Sequence, residues 1–414
     1  MVLTTDMIRF GLIIFAVLIA TLFIGIRRED KLIRSEVFSS DTLRQILAFF
    51  VMAGVLCAMS DNYRMPQCAT PNRGLELLFY ASPIVAGGIL FFAGAYANKC
   101  GMYKRIDKIR IGRALLFVFP MLFFASMINQ NDYMIAVDER NWFAAVLSVF
   151  GRSNMGLIPL MLILELVLFI SFRIFRDEKK VIVIAGVLCI ALEFVPLCER
   201  QCKVGWNPYT IMFFLGMLFI RYEDRITDLI RKKFFLILPS ALFIFAGIAF
   251  QEIWFFIALD KRANSPFASH IPFEGHIHAH GIPIGPFSFD HLMLFIASLT
   301  LVTMVLCLAV KLRISNPVYR ILSGFMYEFS WVSVLVSYAL NINFLNKREA
   351  VNFNVYFMNK EIPMVKLTAP DLVTGSYLRY KDLVIYIILV IAVSVIASLI
   401  LYNPFRIIKN RKET

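Results

Sequence analysis

The sequence predicts an all-α, polytopic membrane protein of about eleven transmembrane helices. Three observations carry that prediction. Apolar residues make up 59% of the 414-residue chain, with 40 Phe, and only 17% of residues are charged, too few to clothe a soluble fold of this size. The apolar residues fall into long uninterrupted stretches rather than into amphipathic stripes. Lys and Arg accumulate on every second connection between those stretches.

A crossing helix needs about 20 apolar residues. The stretches near 9–26, 43–60, 77–97, 112–128, 155–173, 180–198, 207–221, 234–258, 290–311, 324–345 and 382–403 meet that need. The first reads as an uncleaved anchor: Arg9 is the one positive charge ahead of it, no small-residue cleavage site follows, and Arg27-Arg28 stop it directly. The second opens on Ser40-Asp41, an expected N-cap with a carboxylate at the positive end of the helix dipole. The 207–221 stretch is the shortest, and 141–151 is too short to cross and is expected at the interface.

Connections 27–44, 98–113, 173–180, 221–233, 311–320 and the tail 406–412 hold 27 of the 42 Lys and Arg. Short basic loops stay cytoplasmic, so the N-terminus is expected outside and the C-terminus in the cytoplasm of a cell with this protein in its plasma membrane. The formal charge of +13 is then a retention signal with affinity for anionic membrane lipids, and no nucleic-acid partner is implied. Larger outside loops are expected at 259–289 and 346–381. Of the seven Cys, Cys57, Cys189 and Cys307 fall in spans, Cys100 faces the cytoplasm, and Cys68, Cys198 and Cys202 face outside, where a disulfide is chemically permitted.

Several motifs bear on chemistry. Ser40-Asp41-Thr42-Leu43-Arg44 runs into an apolar helix; Phe91-Phe92-Ala93-Gly94-Ala95-Tyr96 ends the third stretch; Arg110-Ile111-Gly112-Arg113 is followed by Phe119-Pro120; Phe213-Phe214-Leu215-Gly216 lies in the seventh stretch, and Asn316-Pro317 precedes the tenth. In this order they resemble the acyltransferase-3 family of membrane O-acyltransferases. The resemblance covers residues 36–405, a ten-helix core, leaving 1–35 as an added N-terminal helix with its loop and 406–414 as a basic tail. It implies transfer of an acyl group, usually acetyl, from cytoplasmic acyl-CoA to a hydroxyl of a glycan or lipid-linked sugar. Arg44, Arg110 and Arg113 would hold the donor, because guanidinium groups grip phosphate bidentately and stay charged. Asp41, Gly94 and Pro120 would be motif positions of structural weight.

The sequence departs from the family where the base is expected. Eleven residues after Arg44 stands Val55 rather than His, Ala93 replaces a Ser, and Ser337 and Tyr338 occupy the place of a late His. The catalytic group is therefore unassigned, with Glu328, Glu165 and His278 as candidates. Glu165, Glu193 and Glu328 lie within apolar stretches, where a charge costs roughly 2.5–3.5 kcal/mol; each serves as a base of raised pKa or as an interhelical hydrogen-bonding group. The five His sit together in 270–291, with His276, His278 and His280 alternating. They are solvated loop residues, a relocated base, or ligands to a metal; no metal is otherwise expected. Two further readings stand beside acyl transfer: a catalytically inactive relative serving as scaffold or glycan or lipid translocation partner, and a polysaccharide polymerase or transporter.

Overall fold

The computed structural model describes residues 5–22, 24, 37–63, 76–104, 157–194, 210–263, 289–312, 314, 316–340 and 380–413. Among the described residues every regular element is helical: α1 Thr5–Leu22, α2 Ser40–Tyr63, α3 Glu76–Lys99, α4 Leu157–Phe175, α5 Glu178–Phe194, α6 Thr210–Arg221, α7 Glu223–Ala263, α8 Phe289–Lys311, α9 Pro317–Gly324, α10 Met326–Leu340 and α11 Tyr380–Glu413, with a 3₁₀ turn at Met102–Lys104. The apolar stretch at 112–128 lies outside the described residues, and each of the others falls on a helix.

Among the described residues four helices are long and apolar enough to cross a membrane, over Ser40–Cys57, Glu223–Ala249, Leu292–Lys311 and Val384–Ile407, and Ile84–Lys99 and Thr210–Arg221 are shorter apolar helices. Their surroundings differ in an informative way. The α2 span is 72% buried by protein, whereas that of α7 is only 11% buried and that of α11 22%. Phe235, 88% exposed, and Phe243, 80% exposed, stand on α7 in full contact with the surroundings. An apolar surface of that kind is stable in lipid and costly in water. By this criterion the chain is a helical membrane protein, with α2 at its centre and α7 and α11 at its rim.

Around α2 pack α3, α9 and α10; α6 and α8 pack on α3, α5 on α6, α7 on α8, and α11 on α10. Local signals set the helix ends. The expected cap at Ser40 or Asp41 is instead supplied by Ser39, whose Oγ accepts from Thr42 N at 3.2 Å, the third-residue amide that an N-cap satisfies. Asp41 falls in the first turn behind it. Between α4 and α5 only Arg176 and Asp177 intervene. Arg176 adopts φ 50°, the left-handed conformation that ends helices, and Asp177 Oδ1 accepts from Lys179 N at 2.9 Å to start the next.

The basic connection 221–233 is itself helical: α7 begins at Glu223 and breaks only at Lys233 (φ −116°, ψ 26°), where the charged segment meets the apolar one. The tenth apolar stretch is preceded by a separate short helix, α9, and Phe325 turns the chain between it and α10. The tail beyond 406 continues α11 as far as Glu413. Long-range contacts tie the start of α2, the ends of α3, α6 and α8, the start of α7 and all of α9 into one polar end of the bundle.

Candidate functional site

The first turn of α2 is the focus of that polar end. Asp41 Oδ2 accepts from Gln45 Nε2 at 2.7 Å one turn on, and Gln45 Oε1 accepts from Asn316 N at 2.9 Å. Asn316 in turn caps α9, its Oδ1 accepting from Val318 N at 2.8 Å and Tyr319 N at 3.2 Å, with Pro317 at the first helical position, where no amide hydrogen is needed. Its Nδ2 donates to Thr21 O at the end of α1, and the Tyr319 hydroxyl meets Thr21 Oγ1 at 2.5 Å. Asn316 is fully enclosed and all its polar atoms are used, as a buried amide requires. Asp41 thus stands at the solvent end of a clip joining α1, α2 and α9. Its other neighbour, Arg320 Nε at 3.9 Å, is exposed, as Asp41 is, and such a pair contributes little.

Arg44 lies deeper. Its Nε donates to Ser323 O at 3.1 Å, a carbonyl of the last turn of α9, where a cation is favoured. Its Nη groups carry no hydrogen bond to another described residue. Tyr96 of α3, whose side chain pairs with Cys100, lies within electrostatic reach of Arg44 and of Tyr327. Tyr327 adjoins Glu328 in the first turn of α10, and Glu328 is only 2% exposed. The sequence-derived candidates Arg44 and Glu328 are thereby brought to one end of the α2–α3–α10 cluster, together with Tyr96. Glu165 is elsewhere, half-buried on the rim helix α4. The side chain of Glu193 on α5, and Arg110, Arg113, Pro120, His276, His278 and His280, lie outside the described residues. Among the described residues no group of three His, Cys, Asp or Glu is placed to hold a metal.

The motif glycines prove to be partners. A Cβ on Gly94 of α3 would fall 2.0 Å from Phe213 O of α6, and one on Gly216 of α6 would fall 1.9 Å from Phe91 O of α3. Each glycine lets the other helix's backbone approach, the small-residue contact by which helices pack where lipid offers no hydrophobic driving force. Val55, 2% exposed, and Ala93, 4% exposed, are ordinary core residues. Ser337 is held by Tyr386 of α11, hydroxyl to hydroxyl at 2.9 Å.

Sequence reasoning missed the ion pair of Lys99 Nζ with Glu223 Oε2 at 2.6 Å. Lys99 counts in the sequence only among the basic residues of the 98–113 connection, and nothing local announces a partner 124 positions away. Glu223 Oε1 and Thr227 Oγ1, one turn apart, are buried and have no hydrogen-bond partner among the described residues. We expect Lys99→Met to lower stability by about 1–3 kcal/mol, because it leaves a buried carboxylate without its cation. Glu223→Gln should cost less, since the lysine left behind still reaches water. Thermal unfolding of both variants in one detergent checks the order, and a milder Lys99→Met would refute it. No family model matches the chain, and neither a curated protein nor a solved structure is similar to it.

Proposed function

We propose that this chain is an eleven-span O-acyltransferase of the acyltransferase-3 kind, in the plasma membrane with its N-terminus outside and its C-terminus in the cytoplasm. It moves an acyl group, acetyl in the simplest case, from acyl-CoA to a hydroxyl of a cell-surface or secreted glycan. What supports the reading is the meeting of Arg44, Tyr96 and the first turn of α10 at one end of the bundle. Three segments far apart in the chain, each resembling a segment of that family, supply them.

In this reading Arg110 and Arg113 grip the donor's phosphates, Arg44 adds positive charge beside the thioester, and Glu328 takes the acceptor's proton. Glu328 is the enclosed carboxylate of the first turn of α10. Electrostatic capture and positioning supply the remainder of the rate. The acceptor sugar enters from the opposite side along α2, α3 and α10.

One observation favours a second reading, a relative without catalysis that serves as scaffold or translocation partner. The two positions at which the resemblance leads one to look for a His and a Ser, Val55 and Ala93, are buried apolar residues. The readings separate on purified full-length protein in lipid nanodiscs. Acyl transfer requires saturable binding of radiolabelled acetyl-CoA and its slow hydrolysis, with Arg113→Ala losing binding. Glu328→Gln should keep donor binding and lose hydrolysis, a split that a folding defect does not produce. Binding with no hydrolysis by the unaltered protein under any acceptor mixture favours the scaffold; absence of binding at millimolar donor removes the enzymatic reading.

A further inference from the structure

A second feature of the polar end lies apart from the site described above, where α7 breaks. Before Lys233 the helix carries Glu223, Asp224, Arg225, Asp228, Arg231 and Lys232, and from Phe234 to Gln251 it carries no charge at all. The change of backbone geometry at Lys233 therefore coincides with the change from a segment that needs water to one that needs hydrocarbon. Lys232 and Lys233 are exposed at this elbow. Lys311, the exposed last residue of α8, joins them from the neighbouring helix, its Nζ 5.3 Å from the centre of the Phe234 ring. Phe234 meets Phe235 edge to face at 5.4 Å. The nearest carboxylate along the helix, Asp228, is a turn further back and half-buried. Three exposed lysines from two helices thus gather at the elbow, one of them over the aromatic pair, where the charged segment gives way to the apolar one.

Directly beyond them runs the open apolar face of α7, with Phe235, Leu236, Leu242 and Phe243 all exposed. A soluble anion would use the lysines and leave this face bare, and an acidic protein would have to enter the hydrocarbon to cover it. An anion that carries its own acyl chains fits both halves. We propose that the α7 elbow binds one anionic phospholipid, with its phosphate among Lys232, Lys233 and Lys311 and its chains laid along α7. Ammonium groups near a membrane surface act on anionic lipid additively, and the aromatic rings seat the glycerol region where amphipathic rings collect.

The test is native mass spectrometry of delipidated full-length protein titrated with phosphatidylglycerol or phosphatidylcholine. One phosphatidylglycerol should be retained in preference to phosphatidylcholine. The K232Q/K233Q/K311Q variant should weaken that first site roughly 100-fold, while K179Q/K180Q, two lysines at the start of α5, should leave it unchanged. Equal retention of the two lipids overturns the proposal, as does an equal loss in the α5 control. Competition by chain-free glycerophosphoglycerol at the same concentration would mark an anion site and likewise overturn it. A second readout does not depend on assembly of the triple variant: indole fluorescence of F235W should be quenched more by brominated phosphatidylglycerol than by brominated phosphatidylcholine, and equal quenching counts against the site.

Discussion

Replacing Gly94 or Gly216 by leucine should leave almost no correctly folded protein, and replacing either by alanine should cost about 3 kcal/mol, the upper end for overpacking a core. The atoms in the way are main-chain carbonyls, Phe213 O at 2.0 Å and Phe91 O at 1.9 Å from the added carbon. A side chain could rotate away; a helix backbone can yield only by moving the whole helix. α3 and α6 would have to separate by more than an ångström, and the contacts that depend on their spacing would loosen with them: Asn98 Nδ2 donating to Met217 O at 2.8 Å, and the Phe91–Phe219 ring pair at 5.7 Å. The two alanine variants act on one distance. Once the helices have parted for the first, the second needs little more, so the double variant should cost clearly less than the sum of the singles. Thermal unfolding followed by size-exclusion recovery measures all three. Full additivity would show that the two glycines act independently and that the reciprocal contact is wrong.

Asn316→Ala should be nearly as damaging, lowering stability by about 2–4 kcal/mol. Loss of an N-cap costs about 1 kcal/mol. Here the change also takes the Asn316 donor from Thr21 O, leaving it only the long bond from Ile24 N at 3.3 Å, and a poorly paired polar group adds about 1–3 kcal/mol. The main-chain amide that serves Gln45 Oε1 remains, so its position, set by the cap, decides how much of that bond survives. Asn316→Asp should retain the cap and lose only the amide donor, placing it between the original and the alanine variant. Asn316→Ser, able to cap but too short to reach α1, should fall close to the aspartate. Chemical unfolding of the three proteins gives the ranking. An aspartate variant as poor as alanine would mean that the tie to α1, rather than the cap, dominates.

The helices could be read from the chain because length and apolarity are enough to make one in lipid: every backbone group there must be satisfied internally. Which face of a helix meets protein could not be read. Phe213 is fully buried and Phe235 almost fully exposed, yet both stand in equally apolar surroundings along the sequence. Periodicity separates core from water, and it has nothing to separate when the outside is as apolar as the inside. The placement of ends was partly accessible. Ser39, Ser40 and Asp41 are all able to cap, and the choice of Ser39 was settled by the geometry of the turn.

The pairing of Gln45 with Asn316 across 271 positions is tertiary and leaves no local signal, and neither the break between α9 and α10 nor the helical continuation through the basic segment 223–232 shows in the apolar pattern. At the site itself, Arg44 and Glu328 stood out because charge inside an apolar run is expensive. Tyr96, Lys99 and Glu223 did not, since an aromatic or a charge near a helix end has many reasons to be there.

The enclosure of α2 bears on how the chain is made. This span is wrapped by neighbours that are synthesised after it, and it begins with Asp41, Arg44 and Gln45 rather than with lipid-compatible side chains. While nascent it has no such company, so partition into the bilayer from the translocon rests on its own modest apolarity. Release of α2 is then expected to wait for α3, whose Gly88 seats against the ring of Phe50, and the two would leave the insertion machinery as a hairpin. Rim helices such as α7, which face lipid permanently, carry no such dependence on helices made later.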